Sequence, residues 1–274
     1  MLEITSVQNP RIKAALRLRS SRQRRKQGRL LIDGLREIGR AMQAGIRLIE
    51  GFFCPQKADS AELQKLLDLW AKTGTPLWQV SPAVMEKLAY GQRQEGLVAV
   101  AEMPSRRLED LVLPDRPVVA VLEGVEKPGN IGAVLRSADG AGIAAVVLAD
   151  CPVDIWNPNT IRASLGCVFT MPMALGSSQQ VLDWLRQRGI RMYAARVDGS
   201  ILYTEADLCP PAAIVLGSEA EGLSPVWTGP DIQAIRIPMC GQADSLNISV
   251  AAAVLFYESL RQQGLSGSLA KPHG

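Results

Sequence analysis

Apolar runs alternate with segments of helical spacing along most of this chain. VVAVLE, AAVVLA and AAIVL are continuous apolar runs, which are typical of parallel strands covered on both faces. RMYAARV and AIRIPM are further strand-like segments, and NIGAVLRSADGAG, VLDWLRQRG and NISVAAAVLFYESLRQQG have helical patterns. This alternation over residues 118–274 predicts an α/β domain built on a mostly parallel sheet.

The first part of the chain predicts a smaller α/β unit that follows a basic arm. NPRIKAALRLRSSRQRRKQG predicts one helix that ends near Gly28. Residues 29–103 then alternate strand-like RLLIDG, LIEGFFC, LWQV and GLVAVAEM with helical segments, and Gly45 and Gly74 stand where helix C-caps are expected. PSRRLEDLVLPDRP carries proline at both ends, so we predict that residues 104–117 link a domain of residues 1–103 to a domain of residues 118–274.

Three polar, glycine-bearing loops each follow a predicted strand of the second domain. They are VLEGVEKPGNIG, IVLGSEAEGLS and IPMCGQADSLN. Ligands of parallel α/β sheets bind beyond the carboxyl ends of the strands, so these loops are expected to converge on one site. The third loop holds more polar side chains than one turn and one helix cap require.

Composition excludes several classes of chemistry. The single histidine, His273, lies next to the C-terminus, which argues against serine and cysteine hydrolases and against histidine-ligated metals. Five scattered cysteines without CxxC spacing predict neither a zinc site nor a disulfide framework and favour a reducing cytoplasm. No apolar run is long enough to span a membrane, and neither GxGxxG nor GxxxxGK[ST] follows a strand. We therefore expect no metal, NAD or ATP.

The net charge of +3 hides an asymmetry. Residues 1–40 hold 11 Lys/Arg and three acidic residues, so they carry +8, while the remainder carries 19 basic and 24 acidic residues, or −5. Such a basic block favours a polyanionic partner, because each contact with a phosphate releases counterions. A solvated charged helix is the alternative.

Three motifs resemble the signature motifs of the SpoU/TrmH branch of the SPOUT RNA methyltransferases. They are EKPGNIGAVLRSADGAG (126–142), IVLGSEAEGLS (214–224) and IRIPMCGQADSLNISVAAAV (235–254). ITSVQNPRIK and the region ending GQRQEGLVAVAE resemble the family's L30e-like substrate-binding domain. The resemblance implies a trefoil-knotted α/β sheet, S-adenosylmethionine bound in the knot loops, and methylation of a ribose 2′-hydroxyl in RNA.

The resemblance also implies which residues contact the cofactor. Gly217 matches a position where the backbone approaches the cofactor closely. Ile237 and Leu246 match positions whose backbone groups hold it, and Met239 is expected to line the same pocket. A plain turn glycine and ordinary core side chains are the alternatives for Gly217, Ile237 and Leu246.

Five polar residues match the family's catalytic positions: Arg136, Asn130, Glu219, Ser245 and Asn247. Arg136 is expected to bind a phosphate beside the target ribose and to stabilise alkoxide charge, since guanidinium stays protonated and is a poor base. Glu219 either pairs with Arg136 or lines the cofactor site. Alternatively, Asn130 caps a helix that starts at Ile131, Arg136 is a charge on a helix face, and Ser245 or Asn247 caps the last helix.

The family further implies a homodimer whose active site lies beside the interface. Its substrate is expected to be structured RNA, 23S rRNA more than tRNA, contacted by the basic arm at Arg22, Arg24, Arg25 and Lys26. The alternatives are a tRNA enzyme, or a catalytically silent RNA-binding or ribosome-assembly module of the same fold. An α/β enzyme that uses another nucleotide is opposed by the missing phosphate-binding loops.

Overall fold

A computed structural model describes residues 3–57, 60–91 and 95–264 of the chain. His273 and residues 92–94 of the GQRQEG segment lie outside this range. The strands are β1 (Glu3–Ile4), β2 (Arg29–Asp33), β3 (Leu48–Phe53), β4 (Leu77–Val80), β5 (Leu97–Glu102), β6 (Val118–Glu123), β7 (Ala145–Ala149), β8 (Met173–Gly176), β9 (Arg191–Ala195), β10 (Ile201–Leu202), β11 (Ala212–Leu216) and β12 (Ile232–Arg236). The α-helices are α1 (Pro10–Arg17), α2 (Ser21–Gln27), α3 (Leu35–Gln43), α4 (Ala61–Ala71), α5 (Pro82–Leu88), α6 (Pro128–Gly140), α7 (Pro158–Ala163), α8 (Cys167–Thr170), α9 (Ser178–Gln187) and α10 (Ile248–Gln262).

The chain forms two compact units. Unit 1 comprises Met1–Ser105 and Asp154–Thr170, and unit 2 comprises Arg106–Val153 and Met171–Gly274. The stretch Asp154–Thr170 therefore belongs to unit 1, although it falls in the second half of the sequence. The segment predicted as a linker is ordered beyond Arg106, where the backbone NH of Leu175 in β8 donates to the Arg106 carbonyl.

Unit 1 is built on a five-stranded mixed sheet of order β1-β4-β3-β5-β2. Strand β5 runs antiparallel to β2 and β3, while β1, β3 and β4 are parallel. Ile12 and Ala15 of α1 are buried in an apolar core with Phe52 of β3 and Val98 of β5. The predicted strands and helices of residues 29–103 are all present, and Gly45 and Gly74 have positive φ angles of 71° and 68° after α3 and α4.

The basic arm forms two helices, not the one helix that the sequence predicts. The chain leaves the helical conformation at Ser20, where ψ is 128°, and α2 begins at the next residue. The Arg24 guanidinium occupies the break and donates to the carbonyls of Leu18 (2.7 Å) and Arg19 (2.9 Å), which α1 leaves unpaired. The predicted end of the arm is correct, because Gly28 is left-handed with φ 61°.

Unit 2 is built on a seven-stranded sheet in which every pair of neighbours is parallel. Its order is β10-β12-β9-β11-β6-β7-β8, so the predicted α/β class with a parallel sheet is confirmed. The chain runs outward from β6 to β8, crosses to β9 on the other side, and later inserts β11 between β9 and β6. The direction of strand order therefore reverses between β6 and β11. The knot that the resemblance implies stays a prediction.

Several boundaries in unit 2 differ from the predicted ones. Helix α6 starts at Pro128 instead of Asn130, since proline suits the first turn, where its missing NH has no helical partner. Strand β12 ends at Arg236, which leaves 237–247 as a long loop before α10. Helices α7 and α8 were not predicted, because six and four residues are too few to show helical periodicity. None of the described helices combines the length and apolarity needed to span a membrane.

Candidate active site

Four loops meet at the carboxyl edge of the unit 2 sheet. They follow β6, β11, β9 and β12, which are consecutive in the sheet order. Because the strands are parallel, all four loops leave the sheet at the same edge, and β6 and β11 flank the point where the order reverses. The three loops that the sequence singled out are among them, so their predicted convergence is confirmed.

A cavity of about 580 Å³ lies among these loops. All four residues predicted to bind the cofactor line it: Gly217, Ile237, Met239 and Leu246. Arg196, Val197 and Asp198, which follow β9, also line the cavity and were missed. RMYAARV was a predicted strand followed by the polar, glycine-bearing segment DGS, so the rule that selected the other loops would have found this one too.

Gly217 has a structural reason to be glycine. A Cβ placed there would lie 2.1 Å from the carbonyl carbon of Gly222, a distance at which the backbone must shift. The loop folds back on itself, with Gly222 NH donating to the Ser218 carbonyl (3.0 Å) and Glu221 NH donating to Ser218 Oγ (3.2 Å). The glycine therefore shapes a tight loop that also forms a wall of the cavity.

Glu219 holds together residues from three loops. Asn130 Nδ2 donates to Glu219 Oε1 (2.9 Å), Asn247 Nδ2 donates to the same oxygen, and Lys127 Nζ lies 2.9 Å from Oε2. We call these four residues the Glu219 cluster. Because Lys127 and Asn130 follow β6, Glu219 follows β11 and Asn247 precedes α10, the cluster fixes the three loops against each other.

The charges of the cluster favour an ionised carboxylate. The Lys127 ammonium is the largest influence and lowers the pKa of Glu219, and the Asn130 amide lowers it further. The same contact raises the pKa of Lys127. Glu219 therefore lines the cavity, as one alternative expected, but its cationic partner is Lys127 and not Arg136.

Asn247 serves two purposes at once. Its Oδ1 accepts hydrogen bonds from the NH (3.0 Å) and Oγ (2.6 Å) of Ser249 and so caps α10, while its Nδ2 reaches Glu219. Ser245 lines the cavity and is not the cap. Asn130 lies inside α6, whose N-cap position is Lys127, so the capping alternative for Asn130 is wrong.

Arg136 lies away from the Glu219 cluster of the same chain. It lies six residues beyond Asn130 on α6, which corresponds to about 9 Å along the helix and to a different face. Its side chain is exposed and makes no hydrogen bond or ion pair with the residues that the structure describes. Small residues at helical spacing lie on the same stripe of α6, namely the exposed Gly129 and Gly140 and the half-buried Ala133.

Glu123 is a buried carboxylate that lies below the loops and that no sequence motif indicated. Glu123, the last residue of β6, accepts hydrogen bonds from the NH and Oγ of Ser224 (both 2.7 Å) and from Ser178 Oγ. Ser224 ends the loop that starts at Gly217, so Glu123 anchors the far end of the cavity wall. Its motif position in VLEGVEK gave no signal, since a glutamate that ends a strand is usually solvated.

The basic arm presents three of its four predicted RNA contacts to solvent. Arg22, Arg25 and Lys26 are exposed on α2. Arg24 is a correction, because only 1% of its side chain is exposed and its Nη2 lies 2.6 Å from Asp154 Oδ2. Together with the carbonyls of Leu18 and Arg19, this ion pair engages the guanidinium in the interior of unit 1, so Arg24 has a structural role.

A second, smaller pocket adjoins the Glu219 cluster. Its volume is about 140 Å³, and it is lined by residues of the loop after β6 and by Ser218–Glu221. Those four residues line the larger cavity as well. The site therefore offers a large compartment and a small one on either side of the Glu219 loop.

Two family matches cover most of the chain. Residues 117–257 match the SpoU rRNA Methylase family, and residues 9–99 match the MRM3-like substrate binding domain. Unit 2 carries the first match apart from Asp154–Thr170, and unit 1 carries the second.

Relatives and solved structures are similar to this chain over almost its full length. The 23S rRNA (guanosine(2553)-2′-O)-methyltransferase RlmP of Bacillus subtilis (strain 168) is 26% identical over 94% of this chain and 98% of its own. A crystal structure of an RNA 2′-O ribose methyltransferase is 44% identical, with a TM-score of 0.85, and covers 96% of this chain and 100% of its own. An AdoMet-bound rRNA methyltransferase from Sinorhizobium meliloti is 26% identical, with a TM-score of 0.85, over 95% and 97%.

These matches agree with the loops, the cavity and the parallel sheet, and they confirm the family expected from the three motifs. The chain belongs to the SpoU rRNA methylase family.

Proposed function

We propose that this protein transfers a methyl group from S-adenosylmethionine to the 2′-hydroxyl of a ribose in rRNA. The observation that carries the proposal is the 580 Å³ cavity beside the Glu219 cluster, at the reversal point of a sheet whose sequence matches the SpoU family. The substrate class comes from the full-length relative in Bacillus subtilis, which is named as a 23S rRNA 2′-O-methyltransferase.

The cavity suits S-adenosylmethionine in size and charge. Its volume lies within the range of about 300–1,000 Å³ that is usual for small-molecule sites. Among the described residues that line it, four are carboxylates (Asp198, Glu219, Glu221 and Asp244), and the single guanidinium, Arg196, is paired with Asp198 at 2.9 Å. An acidic cavity complements a ligand that carries a sulfonium and an ammonium group. The apolar side chains of Ile237, Met239 and Leu246 offer surface for its adenosyl part.

When bound, S-adenosylmethionine supplies an electrophilic methyl group and leaves as a neutral thioether. The protein's residues have to place a ribose oxygen against that methyl group and stabilise the charge that forms as the hydroxyl loses its proton. We assign positioning to Asn130, Glu219 and Asn247, whose mutual hydrogen bonds fix their orientation. Ser245 lies on the cavity wall, in the loop of residues 237–247.

Arg136 is assigned to the phosphate beside the target ribose and to the developing alkoxide. A guanidinium can contact a phosphate with two parallel N–H donors, which fixes geometry as well as charge. Its position on α6, away from the Glu219 cluster of the same chain, supports a site completed by a second subunit. The protein would then act as a homodimer.

The surface of unit 2 supports this dimer. The exposed stripe of α6 consists of small residues around Arg136, and the neighbouring helix α10 exposes Val250 and Tyr257 with Val254 between them. The two stripes are adjacent, because a Cβ at Gly140 would lie 3.1 Å from the Tyr257 hydroxyl. Small residues allow close helix packing, and burial of exposed apolar side chains stabilises an interface.

Sedimentation analysis is expected to show a dimer for the wild type and a monomer for Tyr257→Glu.

RNA contact is assigned to the exposed cations of the arm. Arg22, Arg25 and Lys26 lie within five residues on one short helix and can neutralise neighbouring phosphates. Because the substrate is ribosomal, we place the protein in the cytoplasm.

The test is transfer of labelled methyl groups from S-adenosylmethionine to unmodified 23S rRNA and tRNA transcripts, followed by alkaline hydrolysis. A 2′-O-methyl group removes the attacking hydroxyl, so the label is expected in alkali-resistant dinucleotides from 23S rRNA. Label in mononucleotides would mean base methylation and would contradict the proposal. Label found only in tRNA would mean that the substrate is tRNA and not rRNA. Absence of S-adenosylmethionine binding would indicate a catalytically silent RNA-binding module.

A further inference from the structure

Lys127 has no role in the function proposed so far, although it lies at the centre of the site. It stands at the N-cap position of α6, at the rim of the 140 Å³ pocket, and it contacts Glu219 Oε2 at 2.9 Å. The Lys127 ammonium therefore belongs to the Glu219 cluster and also lines the small pocket that adjoins the larger cavity.

The charges of the small pocket leave one place for an anion. Among the described residues that line it, Glu126, Glu219 and Glu221 are acidic and Lys127 is the only cation. A ribose that enters with its 3′ or 5′ phosphate brings a negative charge towards three carboxylates. That charge is tolerated only if a cation is next to it, because like charges at close range are strongly unfavourable.

Lys127 is able to change partners at small cost. Its side chain is 72% exposed, and Glu219 is its one ion-pair partner among the described residues. Exposed ion pairs of this kind contribute little to stability, because both charges are well solvated when they separate. Lysine carries three rotatable donors on a flexible stem, so it can reach a phosphate without movement of the backbone.

We propose that Lys127 binds one of the two RNA phosphates that flank the target ribose, while Arg136 contacts the other, and that Lys127 gives up Glu219 when the substrate enters. The inference rests on the proposed function, since it concerns the substrate of that same site. Glu219 keeps its bonds from Asn130 and Asn247 to Oε1, so the carboxylate stays in place. Oε2 is then free to accept a hydrogen bond from the 2′-hydroxyl. Lys127 is thus a positioning residue that couples phosphate binding to the exposure of an acceptor.

The test uses the salt dependence of RNA binding. The KM for 23S rRNA of the wild type, Lys127→Gln and Lys127→Arg is measured from 50 to 300 mM KCl with saturating cofactor. Loss of one lysine–phosphate contact lowers the slope of log KM against log salt by about 0.7–0.9, whereas loss of a merely structural residue leaves that slope unchanged. We expect the lower slope in Lys127→Gln, the wild-type slope in Lys127→Arg, and unchanged binding of S-adenosylmethionine to both.

Arg188→Gln is the matched control. Arg188 is an exposed cation of the same unit that follows the C-terminus of α9, at the opposite edge of the sheet from the site. It loses one charge but no phosphate contact, so its slope is expected to equal that of the wild type. An equal fall in Arg188→Gln would show a general charge effect and overturn the proposal.

Failure of the proposed function and failure of the Lys127 proposal give different results. If the wild type forms no 2′-O-methyl product on any RNA, the proposed function fails. If the wild type is active but Lys127→Gln keeps the full salt slope while kcat falls, Lys127 only holds Glu219 in place and the exchange of partners is wrong.

Discussion

Two carboxylates, one in each unit, show how burial decides the use of the same chemical group. Asp33 of unit 1 has 8% of its side chain exposed, accepts from the NH of Tyr90 at 2.7 Å and lies 3.5 Å from the Arg162 guanidinium. Its pKa is raised to about 6, mainly by burial and also by the carboxylates of Glu95 and Glu37, against the lowering effects of the Tyr90 NH and Arg162. Glu219 of unit 2 is 28% exposed, and the Lys127 ammonium and the Asn130 amide lower its pKa.

The difference teaches where reactive and structural polar groups are placed. Unit 1 buries the ion pairs of Arg24 with Asp154 and of Asp33 with Arg162, so their loss affects folding. Unit 2 holds its polar cluster at the carboxyl edge of a parallel sheet, open to a cavity. Substitutions in the two places are therefore expected to separate stability from catalysis.

The largest effect on folding is expected from Arg24→Ala. It leaves the Asp154 carboxylate, and the carbonyls of Leu18 and Arg19, without their buried partner. Removing one member of a buried ion pair lowers the free energy of unfolding by about 3–5 kcal/mol, which chemical denaturation measures. Arg25→Ala, an exposed neighbour on α2, is the control and is expected to stay within about 0.5 kcal/mol of the wild type. Equal stability of the two variants would contradict the structural role of Arg24.

The next effect concerns the pH dependence of stability. Because the pKa of Asp33 is raised from 3.8 to about 6 in the folded state, that state binds the proton more tightly than the unfolded chain. The contribution of protonated Asp33 to stability is present below about pH 4 and is lost as the pH rises through about 6. Roughly two pKa units correspond to at most about 3 kcal/mol.

Asp33→Asn is expected to remove this loss, so that the variant gains stability relative to the wild type between pH 4 and pH 7. Thermal unfolding over that range measures the difference. Asp68→Asn, an exposed carboxylate on α4, should follow the wild-type curve. A pH profile of Asp33→Asn parallel to that of the wild type would show that Asp33 is not the buried titrating group.

In unit 2 the expected effect is on catalysis. Glu219→Ala releases Asn130, Asn247 and Lys127 from their common acceptor, and misplacement of such groups by about 1 Å can lower the rate about 100-fold. Single-turnover methyl transfer measures the loss, and the free energy of unfolding is expected to change little because the cluster is partly exposed. Glu221→Ala is the control, because Glu221 lines the same cavity but its side chain has no hydrogen bond to any described residue. Comparable losses in both variants would mean that cavity charge, and not the cluster, matters.

The smallest effect is expected for the cavity wall. Gly217→Ala places a Cβ against the backbone of Gly222, so the loop has to move. Strain of this kind is about 1–3 kcal/mol, and a loss of about tenfold in S-adenosylmethionine affinity by calorimetry is expected. Gly241→Ala in the neighbouring loop has nothing within 4 Å of its new Cβ and serves as the matched control. Unchanged affinity in Gly217→Ala would show that S-adenosylmethionine does not bind in this cavity.

The sequence predicts the parts of unit 2 that depend on local pattern. The three apolar runs become β6, β7 and β11, the strand-like segments become β9 and β12, and the polar loops after three strands meet where the rule for parallel sheets requires. Other features depend on tertiary contacts that no local pattern encodes. Arg24 and Arg25 are adjacent in the same basic run, yet one is buried against Asp154, 130 residues away, and the other is exposed.

The hydrogen-bond and ion-pair partners within the site could not be predicted from the sequence either. The motifs identify Glu219, but its contact with Lys127 joins loops 92 residues apart and depends on β11 lying beside β6. Asp198 was missed although its loop obeys the same placement rule as the others. Glu123 reads as a strand-end charge, and only the packing of Ser178 and Ser224 against it shows that it is a buried acceptor.

The most direct test of the whole account is methyl transfer by a mixed dimer. Arg136→Ala and Glu219→Ala chains with different affinity tags are coexpressed, and the heterodimer is isolated and assayed on 23S rRNA. If Arg136 completes the Glu219 cluster of its partner, one site per dimer is intact, and about half of the wild-type activity is expected although each parent homodimer is nearly inactive. Activity no higher than that of the two parents would show that Arg136 does not act across the dimer, and the assembly of the site proposed above would be wrong.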